Sequence, residues 1–335
     1  MTVATVTGPQ IEDFYRLHEQ VSRKHLVVAA PRVRLLSTLR MTRRRVGALR
    51  ALVREMQPDA VLSFITESNV MTILACRGLR TRVVISERVQ PALHTALPWT
   101  WKLLRKLTYR WADAVVAQTR DAAEWIRVKC RKPALVIPNA LRPLPQSSAP
   151  RDPLVIAVGR LTPQKGFDLL LRAFARAAAQ FSDWRLTIFG EGGERARLIQ
   201  LSEDLQIAGR VTFAGQVKPI EPWLARAAIV AQPSRFEGFP NVVLEAMGMG
   251  AAVISSDCRS GPSDLIVDGV NGRLVPVEDI DRLSSALAEL MSRPELRESF
   301  GREALRVRQR FEQQAIVAQW KACLLPQHAG TADAT

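Results

Sequence analysis

Short apolar runs punctuate the second half of this chain, each too brief for a helix and each closed by turn residues. Leu154–Val158, Arg185–Phe189, Val211–Phe213, Ala228–Ala231 and Ala252–Ser255 are such runs. Stretches with helical spacing separate them, for example Leu169, Leu170, Ala173, Phe174 and Ala177 within Asp168–Phe181. Unbroken runs of this length suit strands covered on both faces, and their alternation with helices predicts a doubly wound parallel α/β sheet. Further helices are predicted at Glu194–Leu205, Asn241–Met249, Asp279–Met291 and within Pro294–Leu324.

The first half repeats the pattern less regularly. Its predicted strands are Val3–Thr7, His25–Ala29, Ala60–Phe64, Arg82–Ser86, Ala114–Ala117 and Leu135–Ile137; its predicted helices are Thr38–Met56, Asn69–Arg77, Thr100–Trp111 and Arg120–Lys129. Between the halves, Pro138–Pro153 holds five prolines and two serines, the composition of a linker. The expected organisation is therefore a Rossmann-like domain over 1–145, a second over 146–310, a helix at 311–325 returning toward the first, and a disordered tail at 326–335. A length of 335 residues accommodates two domains.

Charge separates the halves. Residues 1–145 carry 25 basic and 10 acidic side chains, whereas 146–335 carry 22 of each, so the whole net charge of +15 sits in the first half. A one-sided basic surface calls for an anionic partner. No run of 18 apolar residues occurs, and Met1–Val6 lacks the basic and apolar segments of a secretory signal, so a cytosolic location is expected. Cys76, Cys130, Cys258 and Cys323 lie far apart, and no two of the four histidines have metal-ligand spacing, so buried thiols and no zinc site are expected.

Four stretches carry candidate chemistry. Gly159-Arg160-Leu-Thr-Pro-Gln-Lys165-Gly166 follows a strand and precedes a helix, where open α/β sheets bind ligands. Its two cations suit a diphosphate, while its pattern matches neither a dinucleotide fingerprint nor a P-loop; read alone, it is an ordinary basic loop. Glu237-Gly238-Phe239-Pro240-Asn241 leads into a predicted helix carrying Glu245. The unpaired N–H groups of a helix start are a seat for phosphate, and the two acids could accept hydrogen bonds from sugar hydroxyls or serve as a cap and a solvated charge. Gly190-Glu191-Gly192-Gly193 is a further turn permitting close backbone approach. Asp279-Ile-Asp281 has metal-diphosphate spacing, but its position before a helix predicts capping.

Together these stretches resemble the donor domain of the family 4, group 1 glycosyltransferases, which have two Rossmann-like domains in the GT-B arrangement. The resemblance runs from Leu154 to Pro276 and includes Ser260-Gly-Pro-Ser-Asp264 and Asp268-Gly-Val-Asn-Gly272. It implies that Gly159, Arg160, Lys165, Gly190 and Glu191 surround the donor. Arg160 and Lys165 would then bind its diphosphate, Glu237 its sugar and Glu245 its ribose. The backbone of Gly238, Phe239, Pro240 and Asn241 would meet sugar and phosphate. The family usually has Glu at Asp264. Val83–Arg88, Thr108–Val116 and Val136–Asn139 resemble the subgroup that extends lipid-linked or capsular oligosaccharides. Where many relatives carry a histidine near the acceptor this chain has Glu87, with Arg88 beside it and His94 nearby; a local Glu87–Arg88 ion pair is the structural alternative.

The resemblance implies retaining transfer from a nucleotide sugar, UDP-linked by subgroup, to a lipid-linked or polysaccharide acceptor, with no metal and no cofactor. The catalytic set would be Glu237, Arg160, Lys165 and Glu87. Against the family pattern the chain begins at the second strand, lacking the first strand, glycine loop and helix, for which a start codon upstream of Met1 is the expected reason. A GT-B nucleotide-sugar epimerase and a truncated, inactive donor-binding protein are the alternatives. Nucleic acid is not an expected partner, since no recognised module is present. Arg40, Arg43, Arg44, Arg45, Arg50 and Arg54, with Trp99, Trp101, Lys102, Arg105, Lys106, Tyr109, Arg110 and Trp111, predict peripheral binding to an anionic membrane on its cytoplasmic face.

Overall fold

The computed structural model describes residues 1–5, 17–26, 35–94, 97–145 and 150–325. The first half runs β1 (Thr2–Thr5), β2 (Ser22–His25), α1 (Leu35–Met56), β3 (Ala60–Phe64), α2 (Thr66–Cys76), β4 (Arg82–Glu87), α3 (Trp99–Thr108), β5 (Ala114–Ala117), α4 (Arg120–Cys130) and β6 (Leu135–Val136). The second runs β7 (Asp152–Val158), α5 (Phe167–Ala177), β8 (Arg185–Phe189), α6 (Arg195–Asp204), β9 (Val211–Gly215), α7 (Glu221–Arg226), β10 (Ala227–Gln232), α8 (Asn241–Gly248), β11 (Ala252–Ser256), α9 (Pro262–Leu265) and β12 (Arg273–Val275). Helices α10 (Ile280–Ser292), α11 (Pro294–Ala304), α12 (Val307–Arg310) and α13 (Gln313–Leu324) close the described chain.

The second sheet is parallel, in the order β9-β8-β7-β10-β11-β12. Strand order therefore reverses between β7 and β10, and a crevice opens beyond their carboxyl ends. Both faces are covered. Leu170, Phe174, Ile188 and Leu287 belong to one apolar cluster, and Val243, Leu244, Phe239 and Phe311 to the other.

In the first half, β3-β4-β5-β6 form a four-stranded parallel sheet, and β1 and β2 pair separately in parallel. The strands predicted at Val3–Thr7 and His25–Ala29 begin one and three residues earlier, at Thr2 and Ser22; residues 6–7 and 27–29, the tail at 326–335 and Ser147–Ser148 of the linker lie outside the described residues. Side chains of β4 alternate between faces. Val83 and Ile85 join Val70, Ile73, Tyr109 and Ile126, while Val84 joins Val116, Ile316 and Cys323. The last two come from α13, so the final helix covers the first sheet; Arg82 Nε donates to the Cys323 carbonyl across 3.0 Å. Helices α7 and α9 and strand β12 are additions to the predicted elements, all shorter than seven residues. Periodicity has too few positions to register at that length.

Candidate functional site

The loop after β7 is shaped by its glycines. A Cβ on Gly166, whose φ is +65°, would lie 2.1 Å from the Pro233 carbonyl oxygen, so only glycine lets this loop dock against the end of β10. A Cβ on Gly190 would lie 1.9 Å from the Gly159 oxygen, and Leu161 N–H donates to the Glu191 carbonyl at 2.9 Å. The Gly190–Glu191 turn is thus stacked on the Gly159–Leu161 backbone. The Glu191 carboxylate is half exposed, 4.0 Å from Arg195.

Arg235 clamps this loop to the segment beyond β10. Its N–H donates to the Gln164 carbonyl (2.8 Å) and its Nη1 to the Pro163 carbonyl (2.6 Å). The guanidinium also grips both carboxylate oxygens of Asp168, at 3.0 and 2.9 Å. Burial raises the Asp168 pKa, but the hydrogen bonds and charge of Arg235 outweigh it and hold that carboxyl below its ordinary value. Gln164 Nε2 returns a bond to the Phe236 carbonyl at 2.9 Å.

The clamp brings Lys165 to Glu237. Lys165 Nζ lies 2.6 Å from Glu237 Oε1, which also accepts from Gln232 Nε2 (2.7 Å) and Ser234 Oγ (2.6 Å). Glu237 is buried and Arg160 is exposed at the rim. A cation and a carboxylate thus share one seat at the topological switch point, with a second cation outside it. The turn that follows touches the first half: a Cβ on Gly238 would lie 2.8 Å from the Arg88 carbonyl oxygen. Gly261, at φ +101°, backs the turn, and any Cβ there would meet Pro240 Cδ at 2.7 Å. Phe239 packs on Phe311 in the core, so only its backbone faces the turn. Asn241 opens α8 and its Oδ1 accepts from Asn139 Nδ2 of the first half at 2.6 Å. Thr119 and Ser260 hydroxyls (2.6 Å) and Arg259 with Asp121 (3.2 Å) also join the halves.

Glu245 stands apart from that cluster. It is half-buried, 3.3 Å from Arg142, which also binds Glu221 at 2.9 Å. Burial pushes its carboxyl pKa up, as it does for Asp264, which faces Arg120 at 3.9 Å. Asp279 caps α10, its Oδ1 accepting from Arg282 N–H at 2.8 Å, while Asp281 pairs with Arg176 at the surface.

The first half departs from expectation at Glu87. The ion pair with Arg88, the structural alternative, does not form. Glu87 is buried on the Val83–Ile85 face, where its Oε1 accepts from the Tyr109 hydroxyl and from Thr66 Oγ1 (2.8 Å), with Arg105 at 4.0 Å. Burial raises the pKa of both Glu87 and Tyr109. The carboxylate is thus held inward through Oε1, with 3% of the residue's surface exposed. Arg88 instead donates to Asn139 Oδ1 and lies over the Phe64 ring at 5.5 Å. His94 is half-buried beside residues outside the described set, and its carbonyl accepts from Leu97 N–H at 3.3 Å. Arg105, expected at a membrane surface, is buried over Trp125 at 4.5 Å. All four cysteines are free and buried.

Sequence reading passed over Asp168, Gln232, Ser234, Arg235 and Asn139. An acid in the first turn of a helix and polar residues at a strand's carboxyl end were the available signals; neither gives a pairing before the loops are placed.

Comparison with known proteins agrees with this architecture. Residues 144–307 match the family described as glycosyl transferases group 1, and residues 2–143 match glycosyltransferase family 4. The chain is 34% identical over 217 residues to exopolysaccharide phosphotransferase SCO2592 of Streptomyces coelicolor, covering 62% of this chain and only 23% of that protein. It is 28% identical over 316 residues to a Campylobacter jejuni enzyme, covering 92% and 86% of the two chains. That enzyme is the GalNAc-alpha-(1->4)-GalNAc-alpha-(1->3)-diNAcBac-PP-undecaprenol alpha-1,4-N-acetyl-D-galactosaminyltransferase. Among solved structures, Anabaena Alr3699/HepE in complex with UDP superposes with a TM-score of 0.75 at 20% identity, over 91% of this chain and 85% of that one. The likeness extends across both halves and establishes the GT-B fold.

Proposed function

Because this chain belongs to the group 1 glycosyl transferases, we propose that it moves a sugar, with retention, from a UDP-linked donor to a lipid-linked oligosaccharide or polysaccharide acceptor. The observation that carries the reading is the Lys165–Glu237 pair, seated at the switch point and facing the first half. UDP in the Anabaena neighbour and the diphospho-undecaprenol acceptor of the Campylobacter relative support the choice of substrates.

The residues divide the work as follows. Transfer breaks the bond from the anomeric carbon to the diphosphate oxygen, and negative charge grows on the leaving group. Arg160, Lys165 and the N–H groups at the start of α8 stabilise that charge, the kind of preorganised electrostatics that dominates many rate enhancements. Lys165 exchanges Glu237 for phosphate when donor enters. Glu237, held by Gln232 and Ser234, then accepts hydrogen bonds from donor-sugar hydroxyls. Glu245 exchanges Arg142 for ribose hydroxyls. The acceptor oxygen bonds to the anomeric carbon from the leaving-group face, and its proton passes to the departing phosphate. Two cations and a helix terminus supply the charge that a metal would otherwise supply, so transfer is expected to persist in excess EDTA; loss restored by Mn²⁺ would reverse that point.

Membrane association belongs to the same reading. No described helix is long and apolar enough to cross a bilayer. On α3, however, Trp99, Leu103 and Leu107 are exposed at four-residue spacing, with Lys106 and Arg110 on the same side and Trp111 exposed just beyond. Aromatic and aliphatic groups interleaved with cations suit an anionic interface, which would place the enzyme on the cytoplasmic leaflet beside a lipid-linked acceptor.

Thermal shift with a panel of nucleotides and nucleotide sugars tests the donor, since a ligand that binds the native state raises stability with the logarithm of its saturation. A UDP-sugar is expected to stabilise, and its sugar to appear on a polyprenyl diphosphate glycan. A panel in which no uridine nucleotide stabilises the protein would overturn the donor assignment.

A further inference from the structure

Beyond the carboxyl ends of β3 and β4, three apolar side chains are exposed near one cation, which lies over the first of them. Phe64 is 43% exposed, Ile65 50% and Val89 38%, although Phe64 ends a strand and Val89 follows one whose other residues are largely buried. They are neighbours through the sheet: Phe64 pairs in register with Ser86, and Ile65 N–H donates to the Ser86 carbonyl at 3.2 Å. Scattered exposed hydrophobes need no explanation, but contiguous ones at the ligand end of a parallel sheet do.

Ile65 is also strained. Its φ is +72°, a left-handed value that β-branched residues avoid, and it is held there by the bond to Ser86 and by Asn69 N–H donating to its carbonyl at 2.9 Å. Such strain concentrates at functional sites.

Arg88 supplies the third observation. Its guanidinium lies over Phe64 at 5.5 Å and donates to Asn139, and among the described residues no carboxylate lies within 4 Å of it. Burial lowers its pKa with no neighbouring charge to offset the effect. A half-desolvated cation with only neutral acceptors is incomplete, and an anion from a ligand completes it. The same residue's carbonyl abuts Gly238, next to Glu237, so this shelf borders the donor-sugar seat.

We infer that Phe64, Ile65, Val89 and Arg88 form the acceptor subsite, and that it takes an anionic glycan: a pyranose whose apolar face lies on Phe64, with a phosphate or carboxylate within one ring's reach meeting Arg88. The inference rests on the donor site proposed above. Trp320 of α13 packs edge-on against Phe64, 6.2 Å between ring centres, and fixes the platform from behind.

Ligand-detected NMR titrations of the full chain, with UDP held saturating so that the donor seat is filled, test it. The probes are N-acetylglucosamine 1-phosphate, glucuronate and their neutral counterparts N-acetylglucosamine and glucose. At least one anionic probe is expected to bind tenfold or more tightly than its neutral counterpart, and which one it is distinguishes phosphate from uronate. Arg88→Gln keeps a donor for Asn139 and is expected to abolish the preference; Phe64→Ala is expected to weaken both the anionic and the neutral sugar. UDP affinity should stay within twofold in both variants, and matching circular dichroism melts show that both are folded. Equal binding of charged and neutral probes, an unchanged preference in Arg88→Gln, or loss of UDP binding in that variant would overturn the subsite. Failure of UDP to bind the unaltered chain would instead strike the donor site on which it rests.

Discussion

The two halves use their charged residues differently. In the second, Lys165 and Glu237, 72 positions apart, meet at one seat outside the sheet. In the first, the acid at the end of β4 turns inward and is consumed by Tyr109, Thr66 and Arg105. The difference lies in what precedes each acid. Glu237 lies beyond the end of β10 and just ahead of a turn whose Gly238 is forced by the approach of Arg88, so its position is fixed by backbone geometry outside the strand. Glu87 is still within the strand, and side-chain parity decides its direction. It shares the face of Val83 and Ile85, so it points into the cluster under α2 and α3.

The sharpest break of that comparison removes Glu87. Glu87→Ala leaves the buried Arg105 guanidinium without its counter-charge and the buried Tyr109 hydroxyl without its acceptor. Breaking a buried charge pair costs about 3–5 kcal/mol. Urea unfolding is expected to show that loss, with UDP affinity of the still-folded fraction unchanged. A variant of ordinary stability but impaired donor or acceptor binding would return Glu87 to the site. Next in size is Lys165→Ala, which removes one charged hydrogen bond to donor, about 1.5–3 kcal/mol in UDP affinity by calorimetry. Glu237→Gln should do the reverse, lowering turnover more than tenfold with nucleotide affinity nearly intact. Equal effects of the two on UDP affinity would mean that they do not divide phosphate from sugar.

The fold was legible because parallel strands covered on both faces write themselves as unbroken apolar runs; β3, β5 and β8 fall where Ala60–Phe64, Ala114–Ala117 and Arg185–Phe189 placed them. The loops after β7 and β10 were legible because glycines mark close backbone approach. Pairing was not. Nothing in the sequence ties Arg235 to Asp168, or Asn139 to Asn241, because each pair joins a loop to the first turn of a helix that it meets only once the sheets have formed. Parity, in contrast, was available at β4 and already places Glu87 on the buried face of Val83 and Ile85.

The Arg235–Asp168 clamp gives a smaller effect with a defined pH dependence. The folded-state pKa of Asp168 is lowered, so its ionised form is worth stability. That contribution is fully present above the unfolded value of about 3.9 and is lost as pH falls through the lowered folded value. Asp168→Asn is expected to cost about 1 kcal/mol at neutral pH, between exposed and buried ion pairs. Its deficit relative to the parent should close below about pH 4. A deficit independent of pH would mean that the pair matters through shape alone. Donor affinity should fall modestly, because the clamp places Lys165 rather than touching substrate.

The smallest effect tests whether the basic half earns its charge at a membrane. Each cation near an anionic bilayer contributes about 1 kcal/mol, less as salt rises. Arg105 is excluded by its burial, so the test belongs to the outward side of α3 and to the exposed arginines of α1. Lys106→Glu with Arg110→Glu is expected to reduce cosedimentation with vesicles containing phosphatidylglycerol, while Arg43→Glu with Arg44→Glu tests α1 separately. Trp99→Ala should weaken binding at every salt concentration, because Trp99, 73% exposed, contributes apolar area rather than charge. Sodium chloride should release the unaltered protein, and zwitterionic vesicles should retain little of it. Equal retention on both vesicle types would remove the electrostatic component, and loss through α1 alone would move the docking face from α3. Since the proposed UDP site lies in the other half, all of these variants should bind UDP as the parent does, which separates a surface effect from damage to the donor seat.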